Sequence, residues 1–115
     1  MWATEAVEKR LMELREKSQA FARSYAEREH LENFSKSLLA IEMQKAEAEG
    51  HKTTAAQERE ARASKAYLDH LDGLKQAVEE SEKLRWELEV AKLGIAVWQT
   101  QSANERMERK TYGQT

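Results

Sequence analysis

The chain has 115 residues, 35% of them charged, a formal net charge of −2, no Pro, no Cys and four Gly. This is the composition of long helices or a coiled coil in one small domain, and it excludes disulfides, thiol catalysis and a blanket positive coat for nucleic acid. No apolar run approaches the ~18 residues of a membrane span, and Met1 to Glu5 does not form a signal peptide, so a soluble, cytoplasmic protein is expected.

A sheet would need dense β-branched and aromatic runs bounded by turn residues, and there are none. The first helix is expected over about 4–48. Thr4 is placed to cap it, with Glu5 and Glu8 in the first turn, where the helix dipole favours negative charge. Val7, Leu11, Leu14, Phe21 and Tyr25 follow at heptad-like spacing. Continuing that register places Arg28, Glu32 and Ser35 in the seam, whereas the apolar residues resume as Leu31, Phe34, Leu38 and Ile41. A phase slip around Arg28 to Leu31 is expected, within an unbroken helix.

Residues 49–53 form the clearest punctuation. Gly50 stands where a helix C′ residue takes a positive φ. Thr54-Ala55-Ala56-Gln57 has the pattern of a capping box, with the Thr54 hydroxyl serving one free N–H and Gln57 reaching back to another. A second helix is expected over about 54–110, either antiparallel to the first or joined to it at a sharp bend, with a frayed tail at 111–115. Its stripe restarts with Tyr67, Leu71, Leu74, Val78, Ser81 and Leu84. Asp72-Gly73 has turn chemistry, but the stripe passes through it in phase, so the helix is read as uninterrupted at a cost of ~1 kcal/mol relative to Ala.

From Leu84 to Trp98 the helix carries two stripes. Leu84, Leu88, Ala91, Ile95 and Trp98 share one; Trp86, Val90, Leu93 and Val97 share a second, roughly 150° around the helix. One stripe suffices for packing within the chain. The second calls for another cover, so Trp86, Val90, Leu93, Val97, Leu84, Leu88, Ile95 and Trp98 together form the expected oligomer interface. Trp86 and Trp98 are in register with Leu and Val, which makes packing the better reading than stacking on unpaired bases. Gly94, between the stripes, leaves room for another backbone. The expected architecture is all-α: a long helical hairpin that self-associates as a bundle or coiled coil.

Charge is unevenly spread. Lys52, Arg59, Arg62 and Lys65 outnumber Glu58 and Glu60 beside the turn, residues 66–98 are net acidic, and the last segment is weakly basic. The four cations are the candidates for phosphate contact, against the plainer reading of a solvated helix surface with i, i+4 pairs. Glu27 and His30 have the Glu-x-x-His helix spacing of di-iron bundles. Such a site needs a second pair and two further Glu, and His70 has Tyr67 at i−3, so no metal is expected. Four scattered glycines assemble no phosphate loop, nucleophile elbow or paired-acid cleft, and neither an enzyme nor a cofactor is expected.

The run from Glu47 to Ala61 (EAEGHKTTAAQEREA), with Tyr67, Leu71, Leu84-Arg85-Trp86 and Val97-Trp98-Gln99-Thr100, resembles small helical proteins of tailed bacteriophages. In size and order of features it is similar to the UvsY-type recombination mediators, over roughly residues 30–110. That resemblance implies ring-shaped homo-oligomers, binding of single-stranded DNA, and loading of a recombinase onto strand coated by single-strand-binding protein. It would give phosphate contact to Lys52, Arg59 and Arg62 and assembly to the stripes of Leu84 to Trp98. The slightly acidic balance departs from such a binder. The alternative is a coiled-coil interaction protein, a virion assembly factor or an inhibitor of a host enzyme, with no affinity for nucleic acid.

Overall fold

The computed structural model describes residues 2–112, with side chains described from Glu5 to Thr111. The chain is all-α, with α1 at Trp2–Ala48, α2 at Thr54–Arg62 and α3 at Lys65–Tyr112, and no strand occurs among the described residues. Helix α1 starts before Thr4, which therefore lies inside the helix rather than capping it. Of the tail expected to fray, residues 113–115 lie outside the described range, and α3 runs to Tyr112. The chain divides into two compact units, one of residues 22–83 and the other of the remaining parts of α1 and α3.

In the unit of residues 22–83, α1 and α3 run antiparallel: Arg28 meets Glu82 at 3.3 Å, and Ser35 meets His70 at 2.7 Å. No phase slip occurs. Arg28 and Ser35 are half-buried and Glu42 is buried, so the seven-residue row continues inward through polar positions, flanked by half-buried Leu31 and Leu38. Phe34 and Ile41, expected in the stripe, are exposed, and so is Glu32. Polar groups can hold an inward row only where they find partners. Arg28 bridges Glu32 and Glu82; Glu42 accepts from Lys45; the Ser35 hydroxyl donates to the Leu31 carbonyl. With that proton committed, the His70 Nε2 donates to the Ser35 oxygen. The His70 ring also meets Phe34 edge-on at 5.6 Å.

The first turn closes as a Schellman motif. The Gly50 N–H donates to the Glu47 carbonyl, the His51 N–H to the Ala46 carbonyl, and Gly50 takes φ 107°. The cap of α2 is Thr53, not Thr54: its side chain accepts from the Ala56 N–H at 3.1 Å. Counted from Thr53, the residue three on is Ala56, so there is no capping box. Gln57, one residue further, donates to the His51 carbonyl and ties the helix to the turn.

The second helix is not single. α2 ends at Arg62, and Ala63-Ser64 separates it from α3. Ser64 makes the junction: its hydroxyl donates to the Ala61 carbonyl at 2.8 Å and accepts from the Tyr67 N–H at 3.2 Å, capping α3. Ala46, Ala61 and Tyr67 are buried at this end. Side chains as small as those of Ala46 and Ala61 permit close backbone approach. Helix α3 is continuous through Gly73, as the in-phase stripe requires.

In the other unit α1 and α3 are again antiparallel, with Lys17 3.8 Å from Glu87 and Arg10 beside Gly94. Leu88 is buried, and Val7, Leu14, Phe21, Leu84, Ala91, Ile95 and Trp98 are half-buried. Two helices can cover only one face of each other, and this face is the first stripe.

Candidate assembly and nucleic-acid interfaces

The second stripe stays outside. Trp86 is 60% exposed, Val90 66%, Leu93 64% and Val97 56%. Of the eight residues expected at an oligomer interface, these four are open. Leu84, Leu88, Ile95 and Trp98 are taken up by the packing of their own unit, so the open surface is narrower than the sequence suggested. Met107, 69% exposed, extends the row. It lies three heptads beyond Trp86, a spacing visible in the sequence but isolated among polar residues. The Arg85 guanidinium sits 4.9 Å from the centre of the Trp86 ring, a cation–π contact that leaves Trp86 on the surface.

Along the row the steps are four, three and four residues, the a/d rhythm of a coiled-coil seam. Fully burying a large apolar side chain contributes about 1.5–3 kcal/mol, so leaving these four more than half exposed is a substantial unrealised stabilisation. On α1 of the same unit, Leu11 and Met12 are also exposed.

The four candidate cations near the turn are less uniform. Lys52 and Arg59 are exposed and have no carboxylate within ion-pair distance among the described residues. Arg62 donates from Nε and Nη2 to Glu58 at 3.0 and 2.8 Å, and Lys65 donates to Asp69 at 2.7 Å. Each hydrogen bond, reinforced by attraction to the same carboxylate, raises the pKa of its cation above the ordinary value. Both are exposed i, i+4 pairs of the ordinary helix-surface kind. Glu60 lies 3.8 Å from His51, adding a carboxylate to the same neighbourhood. The free positive charge here thus reduces to Lys52 and Arg59.

Of the Glu27–His30 pair, the His30 ring stacks beside Phe34 at 6.3 Å. Among the described residues no group of three His, Asp or Glu is placed to hold a metal ion, and no helix is long and apolar enough to cross a membrane. The chain matches no family model, no curated protein and no solved structure.

Proposed function

We propose that this chain is a non-catalytic helical assembly protein, whose copies join through the outer row of α3. The observation that carries this reading is the row itself: Trp86, Val90, Leu93 and Val97 in a/d rhythm, each more than half exposed. Surface apolar residues scattered singly are ordinary, but a contiguous row is a mark of an interaction site. Sedimentation equilibrium tests it. The wild-type chain should associate in a concentration-dependent manner, and Val90→Glu with Val97→Glu should leave a folded monomer with unchanged helix content. A wild-type chain that stays monomeric at high concentration refutes the reading.

A second reading adds contact with single-stranded DNA, in the manner of a phage recombination accessory protein that cooperates with a recombinase or single-strand-binding protein. It is favoured by Lys52 and Arg59, exposed beside the turn and without a carboxylate in ion-pair distance among the described residues. Two cations per chain give weak, salt-sensitive binding that gains strength when assembly multiplies the sites. Fluorescence anisotropy with a labelled oligonucleotide should show binding at low salt, lost in Lys52→Ala with Arg59→Ala. Absence of binding at low salt leaves assembly with protein partners as the function.

A further inference from the structure

Building on the self-association proposed above, we infer that the second copy lies antiparallel on the outer row of α3, with the two-fold axis passing between Val90 and Leu93. A two-fold contact uses the same patch on both chains, so the patch must complement itself. The two polarities differ sharply on this test. In a parallel, in-register pair every seam residue meets its own counterpart, which sets Lys83 against Lys83. That is a like-charge contact.

In the antiparallel pair the apolar stretch is centred on itself. Trp86 meets Val97 of the second copy and Val90 meets its Leu93, each contact occurring twice, and Lys83 meets Thr100. At the flanks Glu87 faces Gly94, Glu89 faces Ala96 and Glu82 faces Ala103. Each of these three carboxylate-bearing side chains thus lies beside a small, uncharged residue of the other copy, which leaves it room and adds no repulsion.

A cation waits at one of these positions. The Arg10 guanidinium of α1 lies over Gly94, its Nη1 3.5 Å from where a Cβ would stand. Glu87 of the second copy, which already lies 3.8 Å from Lys17 of its own chain, would on arriving at Gly94 meet that guanidinium as a second cation, and by symmetry the contact forms twice. Arg10 has no carboxylate within ion-pair distance among the described residues. The apolar row, the small flank and the cation over it therefore fit a second copy of this chain in one orientation.

The natural chain has no Cys, so single cysteines report neighbours directly. Lys83→Cys and Thr100→Cys lie at the polar ends of the seam and spare its apolar centre. Unfolded together, refolded and oxidised, the mixture should give a disulfide-linked dimer, and neither variant alone should. Arg10→Glu should weaken association tenfold or more in sedimentation at low salt. Self-cross-linking of either variant alone overturns the antiparallel polarity. A dimer that yields no cross-link in the mixture, or that is indifferent to Arg10→Glu, overturns the register. A wild-type chain that remains monomeric removes the self-association itself, an outcome separate from the other two.

Discussion

Gly73→Ala should stabilise this protein. Gly73 lies inside α3, away from both ends, and its φ is not positive. Beyond its own neighbours and the adjoining helical backbone, no heavy atom stands within 4 Å of the place its Cβ would take. An added methyl therefore meets no side chain and no other element, which leaves chiefly the intrinsic difference between the two residues in a helix. That difference is about 1 kcal/mol in favour of Ala, from the backbone freedom that Gly loses on folding. For a chain of this length the gain corresponds to a rise in Tm of roughly 4 °C. Urea and thermal unfolding followed by far-UV circular dichroism, at one fixed protein concentration because assembly adds to apparent stability, measure it. A loss of stability would mean that Gly73 is needed for a bend or a close contact, and the account of α3 as an unstrained continuous helix would fail.

Gly50→Ala should go the other way, losing about 1–2 kcal/mol in the same assay, because φ 107° suits no residue with a Cβ. Ser64→Ala removes both hydrogen bonds at the junction and the cap of α3; a loss of about 1 kcal/mol is expected, with faster amide exchange at Tyr67. Unchanged exchange there would show that Ser64 does not hold the junction.

The extent of each helix pair could be read from the chain, but its punctuation only in part. Gly50 announced the first turn because one residue type answers the demand for a positive φ. The break at Ala63-Ser64 carries no Gly or Pro, and its signal is a lone serine whose hydroxyl bonds in both directions. Thr53 and Thr54 are equally good caps in isolation. The choice of Thr53 depends on where the Schellman turn delivers the chain, with φ −98° and ψ 150° at that residue. The inward row of α1 is hidden in the sequence for a related reason. Apolar spacing pointed to Phe34 and Ile41, whereas Arg28 and Ser35 face inward because Glu82 and His70 lie opposite them. Partners from a distant helix cannot be seen in a local pattern. The two stripes of α3 were legible, but not which of them the chain would cover for itself: that follows from α1 and α3 meeting through Leu88 rather than Val90.

Those polar residues between α1 and α3 have an effect beyond their own bonds. Leucines at heptad spacing tolerate being shifted by a whole repeat, since one looks much like the next. A shift of α3 by seven residues in one direction would bring Lys75 to Arg28 in place of Glu82, and Ala63, in the break before α3, to Ser35 in place of His70. A shift the other way would offer Ala77 to Ser35 and strand the imidazole. The greasy contacts supply adhesion, while the serine, which loses its imidazole in either shift, acts as the notch of a key; the arginine resists the shift that brings Lys75, whereas the opposite one offers it Glu89.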